Sequence, residues 1–560
     1  MPTIYFDRLG RLGNNIIQYM TACIFHEVFG HTLVPYSSMC ENAYEVDDTN
    51  HYYEAMRDVI LTNEDYKIAL KGHPFAKRDI ILHGFFQQSD LLLKFRDSLL
   101  TKFTASNTDR ISHGIRVCDI VTTKGLATSD EVVVHFRLDD FQSENSTQVL
   151  HPGVFLETLR KLPNSKRIVS QKPKNYAEKL YFSMFESLHP AIQHGTVLED
   201  FATLRDAEIV LCSNSTFAWC AAFLGHQKTC YIPSIKNSDG QDLSLVHTTD
   251  KVLPTRFLSL LEYPKPVMIV PLAGEHFQNL CDVTIINNEK YEYHRYLENF
   301  VPIDKLLFLE KDWNMKSPLR NAKRVFLYQD LVEKSLEKVV EYFQDIKLLV
   351  IHNGDETVPL HLFKNCFEKF PEVHIFLQNN THDHPKIHSL PMGVQNKMWR
   401  KRETLFAYKE ENPINEKSIL AFCSWLGTTD PIRKTLRDFL EANQFEGLQL
   451  GKKMNEKEYD SMLNRSIFSF CPRGNAYDTH RFWESLYAAA IPIVAKDSFI
   501  DQLQNHFPSC EMVVLDSFLQ DSYKEKLKQK ISNRQSINLP FCCLYDYWKL
   551  LFDCYQWCQA

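Results

Sequence analysis

Residues 471–484 read Cys-Pro-Arg-Gly-Asn-Ala-Tyr-Asp-Thr-His-Arg-Phe-Trp-Glu, and their setting decides the fold. An apolar run at 467–470 precedes them, a stretch ending in Ala488, Ala489 and Ala490 follows, and a second apolar run begins at 491. Strand, glycine-bearing loop, helix and strand in that order form the repeating unit of a parallel α/β sheet. Gly474 frees the loop backbone to approach a ligand, and Arg473 can meet phosphate. Arg481 and Glu484 stand three apart on one helical face. A carboxylate there can accept both hydroxyls of a ribose while an arginine balances a diphosphate. A cap-and-salt-bridge cluster opening a buried helix would use some of the same residue types. The density of Asp478, His480, Arg481 and Glu484 beside an alanine-rich helix favours a binding site.

Outward from this segment the same rhythm fills the chain. Short β-branched runs alternate with amphipathic stretches, the pattern of parallel sheets covered by helices. Strands are expected at 3–6, 79–82, 132–136, 167–170, 209–212 and 229–232 in the first half. In the second half they are expected at 348–351, 374–377, 419–423, 467–471, 492–495 and 512–515. A length of 560 residues exceeds what one core serves. The prolines in the stretch 260–270 place a boundary near residue 264, giving domains 1–263 and 264–560.

Three segments of the first half carry candidate chemistry. In Phe6-Asp7-Arg8-Leu9-Gly10-Arg11-Leu12-Gly13-Asn14-Asn15 a strand passes through a glycine loop into a helix. Gly10 and Gly13 allow a sharp turn and close approach to a ligand, although strand–loop–helix is a general α/β feature. In Val132-Val133-Val134-His135-Phe136-Arg137-Leu138-Asp139-Asp140-Phe141 a strand delivers His135 and Arg137 to one side. Strand ends of this kind bind ligands in open α/β sheets, and a guanidinium suits a diphosphate. An Arg137–Asp140 ion pair would serve the loop equally well. In the third segment a strand runs into Ser213-Asn214-Ser215-Thr216, where hydroxyls and helix N–H groups can face an anion.

Together the first-half segments resemble the α-1,2-fucosyltransferases of glycosyltransferase family 11. Gly10, Leu12, Gly13, Asn14, Gln18 and Tyr19 match that family's glycine loop. His135, Arg137 and Asp140 match its HxRRxDY segment, with Leu138 at the second arginine, and Ser213, Asn214, Ser215, Phe217 and Trp219 match its SNSSFSWW-like segment. The run Gly84-Phe85-Phe86-Gln87-Gln88-Ser89 is similar to a further segment. This resemblance covers residues 4–235 and implies GDP-fucose as donor, inversion, no metal and a galactoside-like acceptor joined by an α-1,2 linkage. The segment 471–484 resembles the exostosin-like transferases of family 47 and their bacterial and viral relatives, with Ala476 in place of a glycine. Ile351-His352-Asn353-Gly354-Asp355, Leu390-Pro391-Met392-Gly393-Val394-Gln395-Asn396 and the stretch 422–433 with Thr428, Thr429 and Arg433 fit the same resemblance. It covers residues 267–535 and implies an inverting transferase using a UDP-sugar such as UDP-xylose. The two resemblances imply two consecutive GT-B-type modules, each of two Rossmann-like parallel-sheet subdomains.

An inverting transfer needs a base for the acceptor hydroxyl and a clamp for the leaving diphosphate. Asp355 is the candidate base of the second half, with His352 second; His135 and Asp140 are the candidates of the first. Donor contacts are expected from Gly10, Gly13, Asn14, Arg137, Ser213, Asn214 and Ser215 in the first half. In the second they are expected from Arg433, Arg473, Gly474, Asp478, His480, Arg481 and Glu484.

A net charge of −7 and a pI of about 6.3 give no electrostatic footprint for nucleic acid or an anionic membrane. No signal peptide or membrane-spanning run is visible, and the 15 cysteines have no regular spacing, so a reducing cytoplasmic setting is expected, the host's if the chain is viral. Cys542, Cys543, Cys554 and Cys558 match no zinc spacing and read as core. The expected partners are nucleotide-sugars and a surface or viral glycan acceptor, with no cofactor. Three readings follow: two active transferase halves, one active half beside an acceptor-holding module, or a carbohydrate-binding scaffold.

Overall fold

The computed structural model describes residues 2–6, 11–33, 59–61, 80–82, 86–87, 89–105, 109–112, 114–138, 149–233, 251–254, 256–290, 302–396, 399, 406–520, 523–532 and 534–557. Gly10, Asp140 and Cys558 lie outside them. The chain divides into two compact units: Met1–Glu178 with Pro190–Glu262, and Lys179–His189 with Tyr263–Ala560.

In the first unit a four-stranded parallel sheet runs Thr32–Leu33, Thr3–Phe6, Ile80–Leu82, Val59–Leu61. A six-stranded parallel sheet runs Ala191–Gln193, Ser165–Val169, Glu131–His135, Ile209–Leu211, Thr229–Pro233, Lys251–Leu253. The second unit repeats the plan with a six-stranded sheet, Leu306–Phe308, Val283–Ile286, Arg324–Tyr328, Leu348–His352, His374–Leu377, Ile387–Ser389. Its five-stranded sheet runs Leu448–Leu450, Ile419–Cys423, Ser466–Phe470, Ile491–Ala495, Val513–Leu515. Each unit therefore holds two parallel Rossmann-like sheets, with helices such as Leu12–Phe29, Val197–Asp206, Val332–Tyr342 and His480–Tyr487 joining strands among the described residues, the GT-B plan expected from the sequence.

The central strands Glu131–His135, Leu348–His352 and Ser466–Phe470 are buried at every residue, because helices cover both faces of a parallel sheet. That is why their centres, at 132–134, 348–351 and 467–468, read as short apolar runs. Val283–Ile286 and Arg324–Tyr328, equally central, are strands that the sequence reading does not assign. Four apolar residues followed by a helical stretch look the same whether they start a helix or end a strand. Leu12–Phe29 is buried on all sides from Leu12 to Phe25 except at Asn14, and ends at Gly30 with φ 67°. At the carboxyl end Trp548 on helix Tyr545–Trp557 packs edge-on against Phe277 and Phe376 and donates its indole N–H to the Cys542 carbonyl at 2.8 Å, and Cys542, Cys543 and Cys554 are all buried. No helix among the described residues is long and apolar enough to cross a membrane.

Candidate functional site

In the second unit a cleft of about 490 Å³ opens at the carboxyl ends of the five-stranded sheet, the edge where loops carry ligand-binding groups. Arg433, Gly474, Asp478, His480, Arg481 and Glu484 all line it. Thr479 caps helix His480–Tyr487 by accepting the Phe482 N–H, so the first turn presents His480, Arg481 and, one turn on, Glu484. The Arg481 guanidinium donates through Nε to Ser424 Oγ at 2.8 Å. Arg433 reaches in from helix Pro431–Ala442 and donates through Nε to the Arg473 carbonyl at 2.8 Å. Burial and the like charge of Arg481 both push the Arg433 pKa down, so two cations crowd a space that an anion would relieve. Gly474 makes room for them: a Cβ there would lie 2.6 Å from Arg433 Nη2.

Arg473, an expected donor contact, does not line this cleft. Its guanidinium stacks 4.2 Å from the Tyr477 ring and pairs with Asp430 Oδ2 at 3.3 Å, lining a separate small cavity of about 110 Å³. Arg433 lines the larger cleft instead. Asp478 faces inward as well as lining the cleft. Its carboxylate accepts the Met392 and Thr479 N–H groups and the Trp483 indole, at 2.7–2.9 Å. Burial raises its pKa to about 7 against the lowering effect of those bonds. Asp478 thus ties loop 391–392 to the signature helix.

A second cleft of about 460 Å³ adjoins the six-stranded sheet, lined among others by Lys290, Tyr328, Asp330, Asp355 and Trp399. Asp355, Met392 and His480 line both clefts, so these residues stand at the seam. Asp355 is exposed, and Asn475 Nδ2 donates to its Oδ2 at 3.4 Å. His480 Nδ1 lies 2.7 Å from the Gly393 carbonyl. A carbonyl only accepts, so Nδ1 carries the proton and a neutral ring keeps its lone pair on Nε2. His352 is corrected from candidate base to loop anchor. Its Nε2 donates to the Pro391 carbonyl at 2.9 Å, and its Nδ1 accepts the Asn353 N–H at 2.8 Å. Both ring nitrogens are used, and burial lowers its pKa to about 4.

In the first unit a cleft of about 400 Å³ is lined by Gly13, Asn14, His135, Arg137 and Ser215 of the expected set. Helices Leu12–Phe29 and Thr216–Leu224 both begin here, so two positive helix ends face one space. Gly13 works by packing: a Cβ would sit 2.4 Å from the Phe217 backbone nitrogen, so glycine lets the two helices meet. Arg137 Nη1 donates to Ser215 Oγ at 3.2 Å, and Asn14 Oδ1 accepts the Thr216 hydroxyl at 2.9 Å. Ser213 turns to His135 instead, with Oγ 2.6 Å from Nδ1, and Asn214 lies outside the cleft lining. Burial, with Arg137 second, lowers the His135 pKa to about 3, so the ring is neutral. Leu138, buried, lines the cleft where the resembled family has arginine.

Several cleft residues have no local sequence signal. Asp200 and Glu178 in the first unit, and Lys453 and Tyr459 in the second, come from helices and loops outside every motif read in the sequence. Asp200 Oδ1 accepts Gln193 Nε2 at 2.8 Å and the Gly195 N–H at 3.1 Å, and burial raises its pKa.

No curated protein matches the chain. Among solved structures it is similar to the E. coli heptosyltransferase WaaC with ADP, at 12% identity over 72% of this chain and 99% of that one, with a TM-score of 0.21. It is also similar to Anabaena HepE in complex with UDP and glucose, at 7% identity over 76% of this chain and 97% of that one, with a TM-score of 0.17. Residues 348–517, which hold Asp355, Arg433 and the whole segment 471–484, match the Exostosin GT47 domain, a glycosyltransferase domain, within the second unit.

Proposed function

We propose that the chain is a bifunctional inverting glycosyltransferase. The second unit transfers a sugar such as xylose from a UDP-sugar, and the first transfers fucose from GDP-fucose to a galactoside-like acceptor. The observation that carries the second-unit reading is the meeting of two clefts at Asp355. One is lined by Arg433, Arg481 and Glu484, and the other by the exposed ring of Trp399 and by Tyr328. Diphosphate and ribose suit the first, and a glycan suits the aromatic second.

Asp355 takes the proton of an acceptor hydroxyl, whose oxygen then bonds to the anomeric carbon. The bond from that carbon to the diphosphate breaks from the opposite face, its electron pair leaves with the diphosphate, and configuration inverts. Arg433 and Arg481 receive the developing charge. In the first unit two helix N-termini and Arg137 support a diphosphate in the same way. The free edge of guanine offers N–H donors, which Asp200 Oδ2 can accept, since Oδ1 is taken by Gln193 and Gly195.

The test is a binding and hydrolysis screen of UDP- and GDP-sugars on the full chain. Asp355→Asn should retain UDP binding and lose transfer by roughly a hundredfold or more, the scale of general-base catalysis. Transfer at the wild-type rate by that variant would exclude Asp355 as base, and absence of any nucleotide-sugar binding would sink the whole proposal. Leu138 favours a second reading in which only the second unit is catalytic. GDP-sugar binding without turnover would select it.

A further inference from the structure

Glu484 does not meet the donor cleft alone. Helix Glu456–Asn464 brings Tyr459 against it, and the phenol hydroxyl donates to Glu484 Oε2 at 2.8 Å. Both residues line the cleft. The hydroxyl end of Tyr459 is enclosed, and burial followed by the Glu484 charge drives its pKa well above the usual phenol value. The proton therefore stays on oxygen, and Tyr459 can only donate to this carboxylate.

That bond selects among the places Glu484 can go. Arg481 lies three residues earlier on the same helix, within ordinary reach for an ion pair. Instead, Arg481 bonds Ser424 Oγ at 2.8 Å, while Glu484 is turned to Tyr459. One carboxylate oxygen is thus tied, and the guanidinium stays available for phosphate. A carboxylate that closed on Arg481 would neutralise the clamp and withdraw the acceptor from a sugar hydroxyl at the same time.

We infer that Tyr459 is a positioning residue: it holds Glu484 as the acceptor for the ribose hydroxyls of the donor and keeps it off Arg481. This rests on the reading of the second unit as a nucleotide-sugar site. The probes are UDP and 2′-deoxy-UDP, titrated calorimetrically into the full chain. Wild type should prefer the ribonucleotide by about tenfold, the scale of one hydrogen bond to a charged group. Tyr459→Phe should erase most of that preference. Glu484→Gln, with the tyrosine intact, should erase it too and guards against misfolding of the first variant. A purely structural tyrosine would weaken both ligands equally and leave their ratio unchanged, which would overturn the inference while the donor site stands. Wild-type protein that binds neither nucleotide would overturn both.

Discussion

Gly474→Ala isolates the anion clamp of the second unit. The Gly474 backbone is outside the left-handed region, since the glycines with positive φ among the described residues are Gly30, Gly114, Gly393 and Gly447. Alanine is therefore sterically acceptable to the chain and should favour folding by about 0.4–1 kcal/mol through the unfolded state. The obstacle is Arg433. Its Nη2 lies 2.6 Å from the added Cβ, well inside ordinary contact, so the guanidinium must retreat by about 1 Å from a well-aligned contact. Arg433 Nε is anchored to the Arg473 carbonyl at 2.8 Å, so the retreat costs either that bond or the reach to a phosphate. Losing one charge-assisted hydrogen bond is worth about 1.5–3 kcal/mol, which weakens UDP binding by roughly ten- to a hundredfold. Calorimetry with UDP and with uridine on the full chain separates the effects, because only UDP carries the diphosphate. Unchanged UDP affinity, or an equal loss for uridine, would refute the placement of Arg433 on the phosphates. A melting temperature at or above wild type would show that the loss is not unfolding.

Other outcomes follow from the same geometry. Gly13→Ala drives a methyl group into the backbone of Thr216 and Phe217, which cannot yield as a flexible side chain can; stability should fall by about 1–3 kcal/mol in urea melts, and no loss would mean the helices tolerate separation. Glu186 is held near pKa 8, chiefly by burial and then by Cys542, against about 4.3 for a free carboxyl. Its raised folded pKa means the folded state keeps a proton that the unfolded state releases, so stability declines as pH rises from about 4.3 to 8. Glu186→Gln should therefore gain on wild type across that window, by on the order of a few kcal/mol, and an offset independent of pH would contradict the buried proton. Arg137→Ala should remove GDP-sugar binding and leave UDP binding intact, with Glu484→Ala doing the reverse; one substitution silencing both would mean a single composite site. Asp200→Asn should weaken GDP far more than UDP in the first unit, and equal effects would dissociate Asp200 from the base.

The α/β class and most central strands were legible because parallel strands covered on both faces are mainly apolar, as at 132–134 and 348–351. The signature 471–484 was legible because its loop, cap and helix are contiguous, so that Arg481 and Glu484 are fixed relative to one another by helix geometry alone. What the chain does between distant segments was not. Arg473 and Arg433 are both plausible phosphate ligands by sequence, yet Asp430 and Tyr477 draw the first away and the absence of a side chain at Gly474 admits the second. His352 looks like a base until the Pro391 carbonyl and the Asn353 N–H take both its nitrogens. Tyr459 carries no motif, because its partner Glu484 is 25 residues away on another helix. By itself the sequence determined periodicity, local loops and the presence of chemically apt groups, all set by neighbours in the chain. Only the tertiary structure decided which of those groups face a cleft, because each polar side chain goes to whichever partner the packing brings within hydrogen-bond reach.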